Sequence, residues 1–185
     1  MENYRVNTNY AKALFLVAGD TDQLDAVNDD MRLVADTCAE NHILSTVFAN
    51  PVIPEHRKMA VLQDLFAARV SKVSMLFMDF VVRKRRSVNL RGIANAFVQL
   101  YRDHKGIVLS HLVTATPVSE EVKKAVCQKV GAVTNKTVEL ETEVDPSILG
   151  GMSIAFDGNM YDARISTAVA ELRREFSKNV YESKL

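Results

Sequence analysis

Residues 138–162 read VELETEVDPSILGGMSIAFDGNMYD, and the pattern of this segment changes twice along its length. Its first part alternates glutamates with apolar residues, the period of two that is typical of a strand with one buried face. The apolar positions are Val138, Leu140 and Val144. Asp145-Pro146 interrupts the alternation, and Gly150-Gly151 can adopt backbone angles that other residues avoid. The segment therefore predicts a strand followed by a kinked connector.

The same segment continues with a second alternation and a turn. Apolar residues recur at Met152, Ile154 and Phe156, which predicts a second strand. Residues 157–159, DGN, are typical of a tight hairpin, and Met160-Tyr161 is then expected to be a short returning strand. Asp162 is placed to cap a helix that begins at Ala163, because its side chain can accept hydrogen bonds from free backbone N–H groups.

One further strand and two helices are predicted around this segment. Residues 107–115 are largely apolar and predict a strand, and residues 117–119 start a helix with acids in its first turn. The last helix is predicted from Ala163 to about Val180 and is expected to cover one face of the sheet. Its apolar side consists of Ile165, Ala168, Val169, Leu172 and Phe176. A strand, a crossover helix and a second strand together predict a small α/β unit.

The first 105 residues predict six helices and no convincing strand. Asp20 or Thr21 is expected to cap the second helix, and a short third helix is expected to turn inward Ile43, Leu44 and Val47. Basic residues followed by Gly106 end the sixth helix. The predicted fold class is α plus α/β, with an N-terminal six-helix bundle over residues 1–105 and a small C-terminal α/β domain over residues 106–185.

Two of the predicted helices have less polar surface than a helix at the edge of a bundle normally has. They cover residues 10–18, YAKALFLVA, and residues 75–82, MLFMDFVV. One interpretation is that both helices are central in the bundle. The other is that they lie side by side and leave an apolar groove for an amphipathic helix of another protein, which is a recurring mode of recognition.

Composition limits the kinds of partner. The 23 lysine and arginine residues are balanced by 23 aspartate and glutamate residues, so no net charge attracts nucleic acid or an anionic membrane. Cys38 and Cys127 are far apart in sequence and predict thiols in a reducing compartment rather than a disulfide. No secretory signal is expected, and no apolar run reaches the about 20 residues that span a bilayer. Any membrane association is therefore expected to come through a partner.

The sequence contains few arrangements of side chains that are typical of catalysis or of metal binding. The four histidines are scattered, and no motif for a metal, a nucleophilic serine or a nucleotide phosphate is present. Asp157 and Asp162 have ordinary roles in a turn and a helix cap. No catalytic residue, metal ligand or cofactor site is therefore predicted. Residues 83–86, RKRR, are the best candidate for a nucleic-acid contact, but a solvated helix end explains them as well.

Three segments, taken in order, resemble one known family. They are residues 10–15 (YAKALF), the run from Arg85-Arg86 to residues 104–108 (HKGIV), and residues 145–151 (DPSILGG), of which the last is the most specific. Over nearly its whole length the chain resembles the delta subunit of the bacterial F-type ATP synthase. The mitochondrial relative in that family is the oligomycin-sensitivity-conferring protein.

The resemblance implies a function without catalysis. It implies a stator subunit that links the catalytic head to the b subunits of the peripheral stalk, resists rotor torque and so couples proton or sodium flow to ATP synthesis. It also implies a monomer in one copy per complex, with no cofactor, no nucleic acid and no direct membrane insertion. The expected location is the cytoplasmic face of the bacterial inner membrane, reached through the complex. The alternative is a nucleic-acid-binding protein or another helix-binding adaptor.

The resemblance further implies which residues bind these partners. Tyr10, Ala13 and Phe80 match the family's face for the N-terminal helix of the alpha subunit. Helical spacing alone adds to this face Leu14, Val17, Phe77 and Val81. For the b subunits the C-terminal helix offers Ile165, Leu172 and Phe176, which are equally compatible with a place in the core.

Overall fold

The computed structural model describes residues 4–177 of the chain. Contacts divide the chain into two compact units, and the division falls between Lys105 and Gly106. The first unit is helical, whereas the second contains a four-stranded sheet and two α-helices in its described residues. The predicted α plus α/β class is therefore confirmed.

The helical unit contains six α-helices in the part of the chain that the structure describes. They are α1 Tyr4–Asp20, α2 Leu24–Glu40, α3 His42–Ala49, α4 Glu55–Phe66, α5 Lys72–Arg83 and α6 Leu90–Lys105, and a 3-10 turn at Ser87–Asn89 precedes α6. Helix α6 packs against both α1 and α2. Its buried face includes Ile93, Ala94 and Phe97, and its last turn carries basic residues, which favour a helix C-terminus. The apolar face of α6 is thus the centre of this unit's core.

The starts of α5 and α2 are stabilised in different ways. Ser71 caps α5 through its hydroxyl oxygen, which accepts a hydrogen bond from the backbone N–H three residues later. The expected cap of α2 by Asp20 or Thr21 is wrong, because α2 begins at Leu24. The Thr21 hydroxyl instead donates to the Val17 carbonyl and so satisfies the last turn of α1.

Helix α3 turns a different face inward from the one predicted. Leu44 and Phe48, which are four residues apart, are buried, whereas Ile43 is 75% exposed. Val47 is half-buried. A helix of eight residues is too short for its apolar period to define a single face, so the inward orientation expected for Ile43 is wrong.

An ion pair and a hydrogen bond join the start of α2 to the end of α6. Asp25 Oδ1 accepts a hydrogen bond of 2.7 Å from the Tyr101 hydroxyl and lies 3.0 Å from Lys105 Nζ. The Tyr101 hydrogen bond, followed by the Lys105 charge, lowers the pKa of Asp25 below its ordinary value of 3.8. A carboxylate with a lowered folded-state pKa stabilises the protein above its unfolded pKa, and the contribution is lost as the pH falls through the folded pKa.

We therefore expect Asp25→Asn to lower the free energy of unfolding at pH 7. The difference from the natural protein should shrink as the pH falls below 3.8 and then through the lower folded-state pKa, because Asp25 is protonated first in the unfolded chain and then in the folded one. Chemical denaturation of both proteins across this pH range measures the difference. A loss of stability that is the same at every pH would show that the charge of Asp25 contributes nothing.

The second unit is built on a mixed sheet with the strand order β2-β1-β3-β4. Its elements are β1 Ile107–Thr114, α7 Glu120–Thr134, β2 Thr137–Val144, β3 Met152–Phe156, β4 Asn159–Asp162 and α8 Ile165–Ser177. Strands β1 and β2 are parallel and are connected through α7, whereas β3 is antiparallel to β1 and β4 is antiparallel to β3. Leu112 and Ile154 of the sheet pack with Val126 and Val130 of α7. The core of this unit therefore lies between α7 and one face of the sheet.

The connector between β2 and β3 is kinked, as predicted. The Asp145 carboxylate accepts hydrogen bonds of 2.9 Å from both the N–H and the hydroxyl of Ser147, which folds residues 146–148 into one 3-10 turn. Ile148 of this turn is buried. Leu149 then adopts a positive φ of 62°. These steps reverse the chain and bring β3 back along β1.

Helix α8 starts later than predicted. It begins at Ile165 rather than at Ala163, because the Ala163 N–H donates to the Met152 carbonyl and prolongs the hydrogen bonding of the sheet. Asp162 is the last residue of β4, and its carboxylate accepts hydrogen bonds from the Arg164 N–H, which precedes the helix, and from the Thr167 hydroxyl in the first turn. The Ile165 N–H that begins the helix donates to the Gly150 carbonyl instead. The prediction that Asp162 caps the helix through a backbone N–H is therefore wrong.

The surroundings of α8 also differ from the prediction. None of its residues, Ile165–Ser177, is buried. The expectation that the last helix covers a face of the sheet is therefore wrong for this part of the chain. The predicted end of the helix near Val180 lies outside the described residues.

Candidate functional site

Helices α1 and α5 meet through two aromatic side chains. The rings of Tyr10 and Phe80 have centroids 6.1 Å apart and are tilted by 45°, within the range of favourable aromatic pairs. Phe80 remains 47% exposed, and Lys84 Nζ lies 5.5 Å from the centroid of its ring. The pair therefore forms an apolar contact that is open to solvent on one side.

Most of the residues predicted to bind the alpha subunit are accessible on these two helices. Ala13, Val17 and Phe80 are exposed, and Tyr10 and Phe77 are half-buried. They are contributed by one side of α1 and the adjoining side of α5, which the aromatic pair connects. We call this set of residues the α1/α5 surface.

Leu14 and Val81 do not belong to that surface. Leu14 is 2% exposed and Val81 is 0% exposed, so both are part of the core. On α1 the buried residues include Ala11, Leu14 and Ala18, which recur at intervals of three and four and define its inner face. Helical spacing placed Leu14 beside Tyr10, but spacing does not tell which of two apolar faces is inside. Including these two side chains in the binding surface was therefore wrong.

Two exposed leucines extend the α1/α5 surface beyond the residues predicted. Leu16 is 67% exposed and lies one turn from Ala13, and Leu76 is 70% exposed and lies one turn from Phe80. Residues three or four apart are neighbours on a helix. The signal for both leucines was present in the sequence, because each lies one turn from a predicted residue in a helix with little polar surface.

A second apolar surface lies on α8. Ile165, Leu172 and Phe176 are exposed, together with Val169 between them, and the exposure of Phe176 reaches 86%. Their spacing of four, three and four residues places them on one face of the helix. The alternative that these residues form part of the core is wrong for the described chain. A contiguous exposed apolar face is typical of a surface that binds another polypeptide.

Asp162 and Arg164 form an ion pair in the segment just before this helix. The Asp162 carboxylate accepts hydrogen bonds of 2.9 and 2.7 Å from Nε and Nη2 of Arg164. These hydrogen bonds, followed by one from the Arg164 backbone N–H, hold the pKa of Asp162 well below its ordinary value. Asp162 is therefore ionised at neutral pH and does not carry the proton that a general acid would need. Its hydrogen bonds give it a structural role in the turn between β4 and α8.

Two of the four basic residues at positions 83–86 pair with carboxylates within the helical unit. Arg83 Nε lies 2.9 Å from Asp79 Oδ2, one turn earlier on α5. Arg85 Nε lies 3.1 Å from Glu55 Oε1 at the start of α4. Half of this positive charge is therefore paired, which agrees with a solvated helix end.

The remaining groups that could carry chemistry have structural surroundings. Both cysteines are free, and burial raises the pKa of the Cys38 thiol, which keeps it protonated and unreactive. Within residues 4–177 no three histidine, cysteine, aspartate or glutamate side chains are grouped to hold a metal ion. None of the helices in those residues combines the length and the apolar character needed to cross a membrane.

An α plus α/β protein with open apolar faces on two of its helical regions has the features of a subunit that binds other polypeptides. The model of the family described as ATP synthase delta (OSCP) subunit matches residues 6–176. The protein named ATP synthase subunit delta in Chlorobium luteolum is 32% identical over 177 residues, covering 96% of this chain and 98% of its own. Its namesake in Lactobacillus johnsonii is 31% identical, covering 94% and 96%.

A solved structure has the same fold. A chain of the Toxoplasma gondii mitochondrial ATP synthase hexamer superimposes with a TM-score of 0.72 at 20% identity, covering 92% of this chain and 97% of that one. The chain belongs to the ATP synthase delta (OSCP) subunit family. It is a non-catalytic stator subunit of an ATP synthase, so the predicted function and the prediction that it is not an enzyme are confirmed. The nucleic-acid alternative is not favoured.

Proposed function

We propose that the helical unit, folded as one six-helix bundle, docks on the catalytic head by binding the N-terminal helix of an alpha subunit along the α1/α5 surface. The observation that carries this proposal is the open aromatic contact of Tyr10 and Phe80, in which Phe80 is 47% exposed. An amphipathic helix places apolar residues at positions i, i+3, i+4 and i+7, which matches a groove lined by two roughly side-by-side helices.

The residues of this surface have different roles in the proposed contact. Tyr10 and Phe80 are large side chains that can anchor a partner helix in the way that aromatic residues dominate many interfaces. Ala13 is small and exposed, which allows the backbone of the partner to approach α1 closely. Leu14 and Val81 lie beneath the surface in the core and keep the two helices in place.

We further propose that the second unit binds the b subunits of the peripheral stalk through the apolar face of α8. Ile165, Leu172 and Phe176 are exposed on that face. The protein would then be a clamp between head and stalk. Rotor torque acts on the head, and a head that is held to the membrane sector does not turn with the rotor, so proton or sodium flow drives ATP synthesis. Such a clamp needs affinity and stiffness, and no bond is made or broken.

The proposed location follows from these partners. The protein acts as a monomer in one copy per complex, on the cytoplasmic face of the bacterial inner membrane, and reaches the membrane only through the complex. Affinity purification of the tagged full chain from native membranes tests this. We expect the alpha, beta and b subunits to be recovered with the chain, and recovery of the chain without them would contradict the proposal.

The division of labour between the two units gives a separate prediction. Deleting residues 106–185 should abolish binding of b subunits and spare binding of a peptide from the alpha N-terminus, because the α1/α5 surface lies wholly in the helical unit. Pull-down with purified b and calorimetry with the peptide measure the two contacts. In the full chain, Leu172→Asp with Phe176→Asp should reproduce the loss of b binding. Retention of b by the deleted chain would contradict the proposed division.

A further inference from the structure

The helical unit also contains a recess with polar and apolar residues in its lining, and this recess lies apart from the residues of the α1/α5 surface. It is a cavity of about 810 Å³, bounded by the end of α3, the loop 50–54, the first turn of α4, the end of α5 and the 3-10 turn at Ser87–Asn89. This volume is within the range of ligand-binding cavities in proteins. None of the residues assigned above to the alpha or b contacts lines it.

The side chain of Lys58 lines this cavity and is buried, with 6% exposure. Its ammonium donates hydrogen bonds of 2.9 Å to the Phe48 carbonyl and 3.0 Å to the Ser87 hydroxyl oxygen, and the Ser87 hydroxyl donates to the same carbonyl. An ammonium has three N–H donors, and the described residues provide acceptors for two of them. Burial lowers the pKa of Lys58, because the charged form loses its hydration.

Apart from His56, the charged side chains that line the cavity are Lys58, Arg85 and Glu55, which together carry one net positive charge. Glu55 pairs with Arg85 at 3.1 Å, and its charge also favours the charged form of Lys58 from further away. No carboxylate of the described residues lies within 4.0 Å of Lys58 Nζ. A buried charge is costly unless it is paired and hydrogen-bonded. The uncompensated charge of the cavity is therefore a single positive one, which matches one carboxylate rather than a doubly charged phosphate.

The exposed part of the lining contains a group of apolar residues beside the polar side chains of His56 and Arg85. Val88 is exposed, and Pro51, Ile53 and Pro54 belong to the loop next to it. We call these four residues the apolar rim. From this arrangement we propose that the cavity receives one aspartate or glutamate side chain of a partner polypeptide, whose apolar neighbours pack on the rim. The carboxylate accepts the third N–H of Lys58. A free small acid would leave the apolar rim uncovered, so the rim favours a polypeptide as the source of the carboxylate. This contact does not depend on the proposed binding of alpha or b.

The probe for this site is a capped tripeptide with glutamate between two valines, and its matched control has glutamine in place of glutamate. Titration of the full chain, followed by NMR at the Lys58 side-chain methylene next to the ammonium, should give a saturable shift with the glutamate peptide. The glutamine peptide should bind at least tenfold more weakly, because an amide cannot neutralise the ammonium. Equal binding of the two peptides would overturn the proposal.

Three variants test whether the glutamate peptide binds in the cavity or elsewhere on the surface of the protein. Lys58→Met keeps the apolar stem, removes the ammonium and should abolish the preference for glutamate over glutamine. Val88→Asp places a carboxylate on the exposed rim and should weaken the glutamate peptide at least fivefold without disturbing the core. Ile43→Asp introduces the same charge at an exposed residue of α3 that does not line the cavity and should leave binding unchanged. If Val88→Asp and Ile43→Asp weakened binding equally, the peptide would not bind in the cavity. If butyrate bound as tightly as the glutamate peptide, the carboxylate would not need to come from a polypeptide.

Discussion

Replacing Phe80 by aspartate is expected to weaken binding of a peptide from the alpha N-terminus by more than about 2 kcal/mol, which corresponds to about thirtyfold in the dissociation constant. The substitution removes an aromatic anchor that pairs with Tyr10 at 6.1 Å. It also places a carboxylate in an apolar contact that a bound helix would cover, where a charge without a partner is costly. Isothermal titration calorimetry of the full chain measures the change.

The fold should survive this substitution because Phe80 is already 47% exposed. The buried residues of α5 include Met78, Val81 and Val82, and none of them is altered. Leu65→Asp is the matched control, because Leu65 on α4 is 43% exposed, close to the exposure of Phe80, and does not belong to the α1/α5 surface. We expect Leu65→Asp to cost much less affinity than Phe80→Asp. If the Phe80→Asp protein were folded and bound the alpha peptide as tightly as the unmutated protein does, the α1/α5 surface would not be the binding site.

Replacing Gly151 by alanine is expected to destabilise the second unit by about 3 kcal/mol or more. Gly151 has a φ of 81°, where an L-residue carries a strain of about 1–2 kcal/mol. A Cβ atom at this position would also collide with the Ala163 carbonyl oxygen and would lie 3.1 Å from its carbonyl carbon. Those are backbone atoms, and the Ala163 N–H is bonded to the Met152 carbonyl, so they have little freedom to move.

Gly158→Ala provides the matched control for this prediction. Gly158 in the β3–β4 turn has a φ of 76°, but a Cβ atom there would meet nothing within 4 Å. Its substitution should therefore cost only the backbone strain, about 1–2 kcal/mol. Hydrogen exchange of the β3 amides in the full chain measures the free energy of opening for both variants. Equal losses in the two would show that the close approach of residue 163 contributes nothing to stability.

The spacing of apolar residues predicted the type of element correctly where the element has a single apolar face. The glutamates and apolar residues of 138–144 alternate as in a strand, and β2 is the strand Thr137–Val144. The Asp145-Pro146 break and the two glycines also predicted the connector, because few conformations are open to that combination. The family resemblance pointed to Tyr10, Ala13 and Phe80, and these three residues are all accessible on α1 and α5.

Periodicity failed where a helix is apolar on more than one side. Helix α1 has one face with Ala11, Leu14 and Ala18 and another with Ala13 and Val17, and both are equally apolar in sequence. Only packing against α6 shows that the first is inside. The apolar stripe of α8 is as regular as that of a core helix, yet its residues are exposed. In both helices the missing information is which neighbour covers a face, and this is not a local property.

The amino-acid sequence on its own determined the order of helices and strands, the kinked connector at residues 145–151 and the family to which the chain belongs, because these depend on local backbone preferences and on motifs that are continuous along the chain. The tertiary structure alone showed which apolar faces stay open, that Leu14 and Val81 are core residues, and that Lys58 is buried against Phe48 and Ser87. Burial is a property of contacts between distant segments, and the same helical period is compatible with a core face or a binding face until those segments are packed together.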